Sequence, residues 1–94
     1  MDNFSKAYRD AGFDVTDGTY GNGLRSIRVK LKEAVDDIYY EIVSFANPDE
    51  AKTETDRINN EGKKKAYTNG NSVVIGEKDY EHHDRYMEPF NSIR

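Results

Sequence analysis

The fold turns on Arg25-Ser26-Ile27-Arg28-Val29-Lys30-Leu31-Lys32, where every second residue from Ile27 is aliphatic. Period two sets Ile27, Val29 and Leu31 on a core face and Arg28, Lys30 and Lys32 outward, which predicts a half-buried strand. Glu33-Ala34-Val35-Asp36-Asp37 reads as a turn. Residues 38–45, Ile-Tyr-Tyr-Glu-Ile-Val-Ser-Phe, read as a second strand. It is apolar at both parities, which suits a central strand or one that offers a face to a partner. Asn47-Pro48-Asp49-Glu50 then opens a helix. Asn47 is placed to cap it, Pro48 fits its first position, and Glu50 sits as in a capping box. Its apolar stripe, Ala51, Thr55 and Ile58, is thin, and Gly62 lies beyond its end near Asn60. The helix is therefore expected at the periphery.

Towards the N-terminus, Phe4, Ala7, Tyr8 and Ala11 recur at helical spacing, and Gly12 suits a left-handed stop. Asp2 or Ser5 is the candidate cap of that helix. Phe13 and Val15 alternate with Asp14 and Thr16 as a short strand. Asp17-Gly18-Thr19-Tyr20-Gly21-Asn22-Gly23 reads as a flexible loop. Towards the C-terminus, Asn69-Gly70 predicts a tight hairpin turn between residues 64–68 and 72–76. Asp79 is the expected cap of a last helix with Tyr80, His83, Met87 and Phe90 on its apolar face. Pro89 is expected to kink or break it. The order α-β-β-β-α-β-β-α predicts one α+β domain over residues 1–94. Its small antiparallel sheet has about four to five strands, with helices mainly on one face.

The 94 residues carry 35% hydrophobic side chains and no cysteine or tryptophan. Disulfides, thiolate nucleophiles and Cys-ligated metals are excluded. No apolar run approaches the ~18 residues of a membrane helix, and none suits a signal peptide, so a cytoplasmic location is expected. The adjacent pair His82-His83 points about 100° apart on a helix and does not converge on a metal. His83 is expected half-buried on the apolar face and His82 exposed. No serine sits in a nucleophile elbow, and Gly18, Gly21 and Gly23 open onto a strand without the Lys-Ser/Thr of a phosphate loop. The expectation is a protein that is not an enzyme and takes no cofactor or metal.

The net charge of −4 conceals segregated blocks. Residues 23–32 carry +4, residues 33–61 carry −7, and residues 62–78 carry +3. Such segregation creates local fields that a total hides. The acidic candidates for partner binding are Asp36, Asp37, Asp49, Glu50, Glu54 and Asp56. The sheet-face candidates are Arg28, Lys30, Lys32 and Tyr40, since bases interleaved with aromatics also mark single-strand nucleic-acid binding. A sequence pI near 5.1 weighs against a polyanion partner. Of the seven tyrosines, Tyr8, Tyr39 and Tyr80 are assigned to the core, and Tyr20, Tyr40 and Tyr67 to the surface. The hairpin edge at residues 64–76 offers a strand for two-fold pairing.

In size, acidity and lack of catalytic chemistry the chain resembles the small phage-encoded inhibitors of bacterial defence, anti-CRISPR proteins among them. The likeness is one of type and transfers no residue role. It implies an inhibitor whose carboxylates occupy a basic groove on another protein, such as a nucleic-acid-binding protein, in place of phosphates. Separately, Tyr40-Glu41-Ile42-Val43-Ser44-Phe45-Ala46-Asn47-Pro48-Asp49-Glu50-Ala51 and Val73-Val74-Ile75 are similar to small α+β domains of Gram-positive lipoproteins. That likeness implies a ligand- or partner-binding domain displayed outside the cell. Such a domain would need a signal peptide and a lipid-accepting cysteine ahead of it.

Overall fold

Alternation at Ile27, Val29 and Leu31 does place all three in the core, each no more than 1% exposed. They belong to β2 (Arg25–Leu31) in a computed structural model that describes residues 2–93. Ahead of it come α1 (Asp2–Asp10), β1 (Phe13–Thr19) and a 3-10 turn at Gly21–Gly23. After it come β3 (Tyr40–Ser44), α2 (Pro48–Glu61), β4 (Lys65–Asn69), β5 (Ser72–Gly76) and α3 (His83–Ser92). The five strands form one antiparallel sheet in the spatial order β1-β2-β3-β5-β4. This is the predicted α+β order.

Parity within the sheet sorts the two faces. Ile27 pairs with Ile42, Val29 with Tyr40, and Ile42 with Val74, so these share a face. It packs against Phe4 and Tyr8 of α1 and Tyr86, Met87 and Phe90 of α3. An aromatic chain ties the layers, with Tyr8 edge-on to Phe13 and Phe13 edge-on to Tyr86. Each such pair contributes about 0.5–1.5 kcal/mol beyond its area. The Tyr86 hydroxyl accepts from the Leu31 amide at 2.9 Å and donates to the Ile38 carbonyl at 3.2 Å. Among the described residues no buried side-chain nitrogen or oxygen lacks a partner.

The remaining helix, α2, lies on the other face. β3 and β4 both run antiparallel to β5 and hence parallel to each other, so α2 must cross over the sheet between them. Its Ala51 and Ile58 meet Val73 and Ala66, one residue out of phase with Val74 and Tyr67. The start and stop of α2 follow the residues that announce it. Asn47 accepts from the Glu50 amide at 2.9 Å, and Gly62 closes the helix in the left-handed region at φ 78°.

Several local expectations change. β1 runs on through Thr19, because cross-strand pairing to β2 holds Asp17, Gly18 and Thr19 extended where composition alone reads as loop. β3 starts at Tyr40, not at residue 38, and its parity reverses two tyrosines. Tyr40 is 1% exposed, whereas Tyr39 is 48% exposed. Tyr20 and Tyr67, expected at the surface, are half-buried, and so is Tyr80, expected in the core. Asp79 does not cap α3. It adopts φ 55° in the preceding turn, and the helix begins at His83 without a side-chain cap. Pro89 does not break α3, which continues to Ser92 with Pro89 buried. Among the described residues no helix is long and apolar enough to cross a membrane.

Candidate functional site

The acidic candidates divide between two regions. Asp49 and Glu50 occupy the first turn of α2, where carboxylates complement the positive end of the helix dipole. One turn on, Glu54 meets Tyr20, which reaches over from the turn between β1 and β2. The Tyr20 hydroxyl donates to the Glu54 carboxylate, and its ring stands edge-on to Phe45 with centroids 6.2 Å apart. Arg57 holds Glu54 from the other side with two contacts of 2.7 Å and also engages Glu61. The Arg57 guanidinium, and secondarily Tyr20, keep the Glu54 carboxyl below its usual range despite partial burial. Partial burial, reinforced by the carboxylate, pushes the Tyr20 hydroxyl up to about 12. Leu24, Phe45, Asp49, Glu50, Thr53 and Glu54 thereby enclose a groove of about 450 Å³.

Not every acid in the block faces this groove. Asp56 is paired with Lys52 at 3.2 Å on the outer surface of α2. Asp36 accepts from the Tyr80 hydroxyl at 2.9 Å and from the Ile38 amide at 3.2 Å, beside α3 and across the sheet from α2. Its exposed neighbour Asp37 shares that loop. Asp49 and Glu50 have no ion-pair partner among the described residues, and they are the acids the groove leaves free.

The basic candidates flank the same sheet face. α2 covers its β5 and β4 side and leaves Asp14, Thr16, Arg28 and Lys30 open, with Ser26 buried between them. Arg28 and Lys30 point outward as expected. Tyr40 lies on the opposite, buried face, and Tyr39 takes its place: the Arg28 guanidinium carbon stands 5.3 Å from the Tyr39 ring centre. Together with Asp14, Thr16 and Lys30 they enclose a shelf of about 270 Å³. The signal that separates the two tyrosines is Glu41, which shares parity with Tyr39 and marks that side as the wetter one. Each base except Lys30 has a carboxylate nearby. Arg28 faces Glu41 at 3.9 Å, and Lys32, just past the end of β2, faces Asp14 at 4.0 Å. Lys30 instead donates to the Ala34 carbonyl at 3.2 Å. Ser26 donates to Glu41 at 2.6 Å. A row balanced in this way has little field left for a polyanion.

His83 is half-buried on the apolar side, as its position in the helical pattern predicts. His82 is half-buried too, rather than exposed. The His83 Nδ1 lies 2.7 Å from the Tyr40 hydroxyl, and Tyr67 meets the ring edge-on at 5.4 Å. Burial raises the Tyr40 hydroxyl well above its ordinary value, so it keeps its proton in this contact. Among the described residues no three acidic or imidazole groups are placed to hold one metal ion. No protein-family model, curated protein or solved structure matches the chain, so the functional reading rests on these surfaces.

Proposed function

We propose that this protein is a non-enzymatic binding protein that seats a basic segment of another protein in the groove beside α2. The observation that carries the reading is the pairing of an apolar floor, Leu24 and Phe45, with two carboxylates, Asp49 and Glu50, that have no internal partner among the described residues. Lysine and arginine bury their aliphatic stems on apolar surface and keep their charged ends at a polar rim, which is the chemistry this groove complements. Where the seated segment is part of a nucleic-acid-binding surface, occupying it displaces phosphates, and the protein acts as an inhibitor of the anti-CRISPR-like type. The single-strand nucleic-acid reading has Arg28 over Tyr39 in its favour, but the adjacent carboxylates weigh against it.

The test is fluorescence anisotropy with a labelled amphipathic peptide rich in lysine and arginine. Asp49→Lys with Glu50→Lys should weaken binding at least about tenfold at moderate salt, equivalent to about 1.4 kcal/mol. Glu54 is left in place because it also anchors Tyr20 and Arg57. Unchanged affinity in a variant whose circular dichroism matches the parent would overturn the reading.

A further inference from the structure

The two edges of the sheet are treated differently. On β4, pairing to β5 uses the backbone groups of Lys65, Tyr67 and Asn69, because a two-residue hairpin makes its flanking pair, Asn69 with Ser72, a hydrogen-bonded one. Ala66 and Thr68 therefore face outward. Both polar groups of Ala66 are already taken: its amide donates to the Asn59 side chain at 2.9 Å, and its carbonyl accepts from it at 3.1 Å. The Asn59 amide stands in for a neighbouring strand. This is the edge that the hairpin reading offers for two-fold pairing, and α2 has closed half of it.

β1 has no such cover. The Tyr20 amide donates to the Leu24 carbonyl at 2.7 Å, and the Lys32 amide to the Gly12 carbonyl at 3.3 Å. The register from Phe13–Leu31 to Thr19–Arg25 is continuous between these two bonds, so the even-numbered residues of β1 bond to β2. Phe13, Val15, Asp17 and Thr19 then direct their amides and carbonyls away from the sheet. Among the described residues, no hydrogen bond from another element meets them. Open edges of this length are the sites at which proteins add a strand.

The side chains say which strand fits. Pairing β1 antiparallel to a second β1 about a two-fold axis at Thr16 brings every outward group into use, with Phe13 opposite Thr19 and Val15 opposite Asp17. Asp14 then faces Gly18, and Thr16 faces Thr16, a favourable cross-strand pair. No like charges are opposed. Moving the axis one residue towards the C-terminus sets Asp17 against Asp17, and moving it two towards the N-terminus sets Asp14 against Asp14. We infer that β1 is the dimer edge of this protein, joining two copies into one continuous antiparallel sheet centred on Thr16. The open halves of the α2-side face become neighbours across the axis, with one acidic groove on each flank.

Sedimentation equilibrium with charge variants at Thr16 tests this. Thr16 is exposed, so substitutions there leave the core intact. The wild type should sediment at twice the 10.8 kDa chain mass. Thr16→Asp alone and Thr16→Lys alone should each sediment as monomers, and an equimolar mixture should recover the dimer. A wild type that stays monomeric up to about 1 mM overturns the proposal. So does a dimer that Thr16→Asp leaves intact, or a mixture that recovers nothing. Amide exchange at Val15 and Asp17 gives a second measure, slowing as concentration rises if the edge pairs and staying constant if it does not.

Discussion

At Gly76 the backbone passes so close to the Tyr40 ring that a Cβ would overlap it. Its φ is not in the left-handed region, so the requirement is one of space. The glycine lets Tyr40 lie flat in the core with its hydroxyl on His83. Gly76→Ala should destabilise the fold by about 1–3 kcal/mol, the usual cost of overpacking, and urea unfolding would show it as a lowered midpoint. Nothing in Val74-Ile75-Gly76 taken as sequence says that an aromatic ring lies across it, because Tyr40 is distant in the chain. The Tyr39/Tyr40 choice was closer to legible. Both parities of residues 38–45 are apolar, yet Glu41 on the Tyr39 side identifies the face with access to water.

At the level of elements, α2 was almost wholly legible. Its cap, its first-position proline, its buried stripe of Ala51, Thr55 and Ile58 and its glycine stop are all local signals, and each is where the residues place it. The closure of the β4 edge by Asn59 was not legible, since an asparagine late in a helix carries no mark of the strand beside it. Asn59→Ala should cost about 1–3 kcal/mol, because it strips two bonds from a partly buried backbone. Hydrogen exchange at the Ala66 amide should accelerate well beyond the global change, and equal protection in both proteins would count against the strand-mimic role. β1 and α3 erred in the opposite direction. Glycine and proline lower local propensity at Gly18 and Pro89, but the ladder to β2 and the packing of α3 on the sheet override it.

For the whole molecule, tyrosine takes the place of tryptophan and leucine as the bulk of the core, which ties stability to alkaline pH. Burial raises the hydroxyls of Tyr8, Tyr40, Tyr80 and Tyr86 above their ordinary value of about 10, and Tyr20 reaches about 12. The unfolded chain thus loses these protons before the folded one does. Stability is complete below pH 10 and falls as pH rises from there through about 12, where Tyr20 ionises in the fold. Urea midpoints measured from pH 8 upward should be level to about pH 10 and then drop, with tyrosinate absorbance appearing together with unfolding. Charge follows a similar logic of scale. The −7 block is continuous along the chain but is divided in space, with Asp36 and Asp37 beside α3 and Asp49, Glu50 and Glu54 on α2 across the sheet. Local periodicity, caps and turn residues were enough to order the helices and strands and to name the basic row, because those signals act between residues a few positions apart. The face taken by α2, the groove beside Phe45 and the unequal edges depend on strand order. Strand order is set when distant segments pair and bury apolar area together, and no single segment's pattern contains it.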